Sequence, residues 1–317
     1  MDSHIALTTL RIAVPYLRAY KGSVFVVKLG GGLCRPGATL DNLAYQVAFL
    51  QQLGIKIVLV HGGGEQATEL CLRLGLEPNI IAGRRITDAD ALEAAKMAFA
   101  GVVNADLLAA LRKEKAPAIG LSGIDAALVE VHRRPPLTIA DPSTGQEQLV
   151  DFGFVGDVDC VNAKPIVHLL AGDYLPVVCS LAADSTGQIF NVNADTVASR
   201  IAIETRAAKY FSVTTVDGVL DDVADPRSLH SYLDVEEAEE LVKSGRVGGG
   251  MLPKISACLD ALRGGVARAH IVNGTRPDTL LREVFTNEGC GTLIVARRER
   301  NRPGESGPGP LVAQDAV

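Results

Sequence analysis

The sequence predicts an α/β fold: a mainly parallel open sheet between helices, with a β-hairpin insertion. Three observations carry this. Two apolar, β-branched runs, 24–29 and 55–60, each open into three consecutive glycines and then a helical stretch. Strand, helix, strand at that spacing is a parallel crossover unit. The same rhythm returns in the second half around 210–214, 270–272 and 292–295. Between the halves, 126–161 changes to short alternating segments broken by Pro135-Pro136 and the turn residues 141–145, which reads as antiparallel hairpins.

In chain order, Leu7, Leu10, Ile12, Val14 and Leu17 around Pro15 suggest an amphipathic helix interrupted by the proline. It is an arm, residues 1–21, packed on its own subunit or on another. Strand 24–29 ends Lys28-Leu29-Gly30-Gly31-Gly32, and helix 39–53 follows with Leu40, Leu43, Ala44, Val47 and Leu50 on one face. The next strand ends His61-Gly62-Gly63-Gly64 and leads into helix 65–74, which places Ala67, Leu70, Cys71 and Leu74 together. Gly75 suits the position just past that helix. Thr87 with Asp90 resembles a capping box for a long helix to about Lys113. Further helices are expected over 164–171, 196–205, 233–245 (with Leu233, Ala238 and Leu241) and from Lys254 to about Leu262, and a strand over 175–179. Residues 297–317, charged and then rich in Gly, Pro and Ser, read as a disordered tail.

The chain of 317 residues is long enough for one large α/β domain or two lobes sharing a sheet. A formal charge of −6 argues against a nucleic-acid partner, though a local basic pocket is compatible with it. No apolar run has the length of a membrane span, and no signal-peptide pattern is present, so a soluble cytoplasmic protein without a membrane partner is expected. Cys34, Cys71, Cys160, Cys179, Cys258 and Cys290 lack CxxC spacing and read mostly as buried free thiols. No metal-ligand cluster is visible.

The chemistry begins at the glycines. A strand, a glycine turn and a helix start leave unpaired backbone N–H groups at the positive end of a helix, where an anion can sit. Neither GxxxxGK[ST] nor a strand-linked GxGxxG occurs. What remains is two glycine nests and two lysines, Lys28 and Lys254, each beside a glycine cluster. That set suits phosphoryl transfer, in which catalysis is mostly positioning and charge stabilisation. Asp195, at an expected helix start, is placed to pair with both lysines, although an aspartate there is commonly just a cap.

These motifs resemble the amino-acid kinase family. They are Val27-Lys28-Leu29-Gly30-Gly31, Val60-His61-Gly62-Gly63-Gly64, Gly83-Arg84-Arg85-Ile86-Thr87-Asp88, Asn191-Val192-Asn193-Ala194-Asp195-Thr196, Gly249-Gly250-Met251-Leu252-Pro253-Lys254, and Phe285-Thr286 with Gly289-Cys290-Gly291-Thr292. They stand in the family's order over about residues 22–296 and are most similar to members that phosphorylate N-acetyl-L-glutamate, the arginine-sensitive hexameric subgroup among them. The resemblance implies a three-layer αβα sandwich, an acceptor lobe over 22–190 and an ATP lobe over 191–296. It implies that Lys28 and Lys254 stabilise the transferring phosphoryl group and that Asp195 organises them. Gly30 and Gly31 would line the phosphates; Gly63, Gly64, Arg85 and Asn191 would hold the acceptor. Thr215, Val216, Asp217, Gly218, Val219 and Leu220, with Val247, Gly248, Gly249 and Gly250, would cradle ATP. Mg2+ would be held mainly by the nucleotide, with no metal site in the protein.

By the same resemblance, the arm implies a homo-oligomer, dimer or hexamer, and Glu283 with Gly289 stands where the subgroup's arginine site would lie. Five positions depart from the pattern: Glu65 replaces a common proline, Ile124 a lysine, Thr215 an aspartate, Asn273 an aspartate and Asp278 a histidine. Alternative acceptors on the same fold are N-acetyl- or carrier-linked aminoadipate, N-succinylglutamate and, more distantly, carbamate or aspartate. A non-catalytic amino-acid sensor is the non-enzymatic alternative, and retention of Lys28, Lys254 and Asp195 argues against it.

Overall fold

The computed structural model describes residues 3–81, 84–140, 147–286 and 289–298. In chain order the helices and strands are α1 (Ser3–Tyr20), β1 (Val24–Leu29), α2 (Ala38–Gln52), β2 (Lys56–His61), α3 (Gly64–Arg73), β3 (Ile80–Ile81), β4 (Arg84–Arg85), α4 (Ala89–Lys96), α5 (Asn104–Lys113) and β5 (Ala118–Ser122). The middle of the chain adds β6 (Val129–Arg133), β7 (Leu137–Ala140), β8 (Glu147–Val150), β9 (Val155–Val161), α6 (Lys164–Ala171), β10 (Leu175–Cys179), β11 (Leu181–Ala183) and β12 (Ile189–Val192). The last third adds α7 (Ala194–Glu204), β13 (Lys209–Thr214), β14 (Tyr232–Asp234), α8 (Val235–Lys243), α9 (Leu252–Arg263), β15 (Arg268–Asn273), α10 (Thr279–Phe285) and β16 (Thr292–Val295).

Eight strands form one sheet in the order β14-β16-β15-β13-β1-β2-β10-β5. All neighbours pair in parallel except β15 with β16. The central strands are apolar on both faces because both faces are covered. Val26, Val58, Val60 and Tyr210 pack with α6, α7, α8 and α9. Phe25, Val27, Ile57, Leu59 and Phe211 pack with α1, α2, α5 and α10 on the other side. This is the expected three-layer sandwich. Adjacent β1 and β13 carry the sheet across both halves of the chain.

The insertion is more elaborate than the hairpins expected. β7 and β8 form an antiparallel hairpin, and β6, β9, β11 and β12 close on one another as a small four-stranded barrel. Strands β11 and β12 escape periodicity because they span only three and four residues. The two-residue strands β3 and β4, and helix α10, escape it for the same reason of length.

Other expectations are corrected. Helix α1 runs through Pro15 without interruption, since a proline removes only its own donor and frees one carbonyl. The cap of α4 is Asp88, whose side chain accepts from the Ala91 N–H, in place of Thr87. Thr87 is buried in a bridge to Gly153. The long helix that follows is broken by a π segment, Met97–Val103. Leu233 lies in β14, and the polar helix begins at Val235 behind an Asp234–Glu237 capping box.

By length and hydropathy, 89–113 does match a membrane span, which the sequence reading passed over, but half of its most apolar window is buried in this fold. Among the cysteines, Cys160 is exposed and Cys290 half-buried, and the other four are buried. Of the expected tail, Arg298 is tied to Glu237 at 2.7 Å, and residues 299–317 lie outside the described residues.

Candidate active site

The site stands at the carboxyl ends of β1, β2 and β13, where a parallel sheet presents the N-termini of its helices. Side-chain alternation decides which groups meet there. Lys28 follows Val26 onto the face covered by α7 and α9, and Ser212 follows Tyr210 onto the same face in register with it. Asn193 caps α7 by accepting from the N–H groups of Asp195 (2.8 Å) and Thr196 (3.3 Å). Asp195 is therefore not the cap, and its carboxylate is free to turn toward the sheet.

There it joins both predicted lysines. Lys28 Nζ donates to Asp195 Oδ2 at 2.9 Å, Lys254 Nζ lies 3.6 Å from the same oxygen, and Ser212 Oγ donates to Oδ1 at 3.2 Å. Lys254 arrives from the first turn of α9, behind the glycine turn 248–250. Burial opposes ionisation of Asp195, but the two ammonium groups outweigh it and hold the carboxyl below its ordinary range. Burial, and then Lys28, push the ammonium of Lys254 down. One carboxylate thus serves two cations, which leaves positive charge for an incoming anion.

The two glycine nests touch. A Cβ on Gly31 would lie 3.5 Å from Gly63 Cα and 3.6 Å from Gly64 N, so the loops after β1 and β2 form adjoining walls. Gly30 N–H donates to Val213 O at 3.0 Å. Gly64 faces open space. Arg85 reaches from β4 to the Gly64 carbonyl at 2.6 Å and also meets Thr68 Oγ1. Asn191 donates to Thr87 Oγ1 at 3.3 Å, below the same hairpin. His61 is fully buried, its Nδ1–H donates to Gly62 O at 2.8 Å, and burial pushes it down to about 4. It is neutral at physiological pH.

On the other side of Lys28, the turn 215–220 is held by its neighbours. Asp217 accepts from Asn273 at 2.8 Å and pairs with Arg276. Val219 N–H donates to Thr292 Oγ1 at 2.8 Å. A Cβ on Gly218 would lie 2.5 Å from that same hydroxyl. Thr215 is exposed, Val216 half-buried and Leu220 bridged to Leu229. Val247 is buried, while Gly248 and Gly250 stand clear and Gly249 takes a left-handed φ of 55°.

The family model for the amino acid kinase family matches residues 23–273. The chain belongs to that family. Among curated relatives, the acetylglutamate kinase of Myxococcus xanthus is 40% identical over 300 residues, covering 95% of this chain and 97% of its own. That of Methanothrix thermoacetophila is 38% identical over 282 residues, covering 89% and 96%. The crystal structure of N-acetylglutamate synthase from Neisseria gonorrhoeae, complexed with coenzyme A and L-arginine, superposes with a TM-score of 0.78 at 28% identity. It covers 93% of this chain, which spans 66% of that longer one. Giardia carbamate kinase, TM-score 0.61 at 16% identity over 87% of this chain and 99% of its own, shares the fold.

Within this amino acid kinase, some site residues were missed by sequence reading. Gln66 donates to Gly31 O at 2.7 Å and ties the two nests together. Ser212 and Thr292 anchor Asp195 and the 215–220 turn. Arg35 clasps Glu69 at 2.6 Å and lies 3.5 Å from Glu65, so the departure at Glu65 has a partner. Each depends on cross-strand register or loop proximity, for which these residues carry no local signal. The departure at Asn273 braces Asp217, and Ile124 is exposed beside an Asp125 that accepts from Ser122 Oγ at 2.8 Å.

Glu283 and Gly289 are neighbours, with the Glu283 carboxylate buried. It bonds His270 Nδ1 at 2.9 Å and accepts from Cys290 N at 2.6 Å and Gly291 N at 2.9 Å.

Asp195→Asn leaves two largely buried ammonium groups without their shared counter-charge. We expect a loss of about 3 kcal/mol in urea unfolding, and partial recovery in Asp195→Asn/Lys28→Met. Because the folded pKa of Asp195 is lowered, its contribution is present above about pH 4 and lost as pH falls through the folded value. An unchanged acid limb in the variant's stability profile would count against this.

Proposed function

We propose that this chain transfers the γ-phosphoryl group of ATP to the γ-carboxylate of N-acetyl-L-glutamate, giving the acyl phosphate and ADP, a step of arginine biosynthesis. The observation that carries the phosphoryl-transfer reading is the meeting of Lys28 and Lys254 over one carboxylate, 2.9 and 3.6 Å from it. The choice of acceptor rests on near-full-length relatives that bear the name acetylglutamate kinase.

In this reading the acceptor is already an anion, so no general base is required. Its carboxylate oxygen attacks the γ-phosphorus as the bond to the ADP oxygen breaks. Lys28 and Lys254 balance the charge on the equatorial oxygens, and Asp195 keeps them apart and oriented. The Gly30-Gly31 nest takes the phosphates and the Gly63-Gly64 nest takes the acceptor. The guanidinium of Arg85 suits its α-carboxylate, and Asn191 its acylated amide. The turn 215–220 and residues 247–250 cradle ATP, giving an acceptor lobe over 22–190 and a nucleotide lobe over 191–296.

The residues present do not form a protein cage for Mg2+. Asp195 is taken by two ammonium groups and a hydroxyl, and among the described residues no group of three His, Cys, Asp or Glu could hold a metal. In this reading Mg2+ is held mainly by the nucleotide phosphates, as its reluctance to shed water favours.

The finer reading adds a cytoplasmic, arginine-inhibited oligomer assembled through α1. The oligomer rests on the resemblance of the arm alone; the arginine part is motivated by the packing of α1 near Glu283 within the same chain, where Tyr16 meets Phe285 edge-on with ring centroids 6.4 Å apart. Arginine at millimolar concentration should slow the forward reaction, and light scattering should give a mass above the dimer. Insensitivity to arginine together with a dimer mass would remove this part alone.

An ATP-dependent hydroxamate assay over acylated dicarboxylic amino acids tests the acceptor. N-acetyl-L-glutamate should give the highest kcat/KM, and preference for the aminoadipate or N-succinyl compound would overturn the assignment. Lys28→Ala and Lys254→Ala should each lower kcat at least ~100-fold, about 3 kcal/mol, with the fold intact by circular dichroism. Arg85→Ala should mainly raise the acceptor's KM; a pure kcat effect contradicts the clamp.

A further inference from the structure

The π segment, 97–103, is the irregularity that neither the fold nor the reaction has so far required. It interrupts an otherwise continuous helix from Ala89 to Lys113. Such segments, bonded i to i+5, are uncommon and shift the phase of every side chain beyond them. Here the shift faces one place. A Cβ on Gly63 would lie 2.6 Å from Phe99 Cδ1, 3.0 Å from Phe99 Cε1 and 3.3 Å from Val103 Cγ2. The ring is 4% exposed and closes a small apolar cluster of Ala67, Ala95, Ala98, Cys179 and Leu181. Ala67 belongs to α3, so the same ring braces the first turn of the helix whose N-terminus is the second nest.

We infer that Phe99 is a positioning residue for the acceptor: a rigid wedge, delivered by the π segment, that fixes how far the Gly63-Gly64 amides stand from Gly31. The inference rests on the reading of that nest as the acceptor wall. On its open side Gly64 meets nothing within 4 Å, while behind it Gly63 has no space for even a methyl group. Retreat of the nest toward the π segment is therefore blocked by the ring. The planar aromatic ring is a rigid body with no torsion inside it that could relieve compression. Misplacing an attacking group by about 1 Å can cost on the order of 100-fold in rate. A wedge at this point therefore acts on the approach of acceptor to phosphate and leaves nucleotide binding alone.

The test uses three variants of the full chain. Phe99→Leu should lower kcat/KM for the acceptor about 10-fold, with KM for ATP changed less than about twofold. Phe99→Met, close in volume to the leucine and likewise without a ring, should show a similar loss. Leu111→Ala, fully buried in the same helix away from the nest, controls for lost stability and should lower Tm without the acceptor effect. Hydrogen exchange supplies a readout independent of turnover: amides of 62–67 should exchange faster in Phe99→Leu and not in Leu111→Ala. An unchanged acceptor kcat/KM and unchanged exchange in Phe99→Leu overturns the wedge, as does an equal effect in Leu111→Ala. If the wild-type chain prefers a different acceptor, the proposed substrate fails; the wedge is then judged on the preferred acceptor and on exchange.

Discussion

The structure depends on a triangle of charge under the sheet's carboxyl edge, in which one buried aspartate is shared by two lysines. Burying three ions is expensive unless each is paired and hydrogen-bonded. Lys28 and Asp195, with side-chain exposures of only 7% each, are paired and hydrogen-bonded, and Lys254 is paired with the same carboxylate, which leaves one net positive charge. Such a cluster contributes little to stability by itself. What it does is hold two ammonium groups at fixed positions, which in the proposed reaction would leave little reorganisation for an arriving phosphate.

The surrounding architecture serves that arrangement. β1 and β13 place Lys28 and Ser212 in register on one face, α7 turns Asp195 toward them because Asn193 performs the capping, and α9 brings Lys254 from above. The adjoining nests extend the positive surface with backbone amides, and Gln66 stitches one to the other. Glycine is required at Gly63 for a specific reason, the ring of Phe99 behind it, whereas Gly64 faces open space.

A second buried polar chain lies on the opposite face of the sheet. Lys209 Nζ sits 3.3 Å from His270 Nε2 and 5.0 Å from the centre of the Tyr20 ring, and His270 Nδ1 meets Glu283. Burial, reinforced by Arg268 and opposed by Glu283, pushes Lys209 down to about 7; burial and then Lys209 push His270 down to about 4. Glu283 stays ionised against its burial through His270 and two backbone N–H groups, at about 2. The chain joins the end of α1 to the loop before β16, whose Thr292 holds the 215–220 turn. Packed polar groups thus run from the end of the terminal helix to the residue before Thr292, whose hydroxyl holds the 215–220 turn.

The sequence by itself determined the sheet, most of its helices and the chemical character of the site. Apolar β-branched strands, helical periodicity and triple glycines at strand ends are local signals, set by backbone sterics and burial over a few residues. They were enough to single out Lys28, Lys254 and Asp195. Tertiary structure alone decided what depends on register and phase. It made Asn193 the cap and released Asp195, placed Leu233 in an edge strand, closed four short strands into a barrel, and rotated Phe99 against Gly63 through a π segment. None of these has a period of its own: each arises because elements distant in sequence must satisfy the same buried backbone groups and fill the same space.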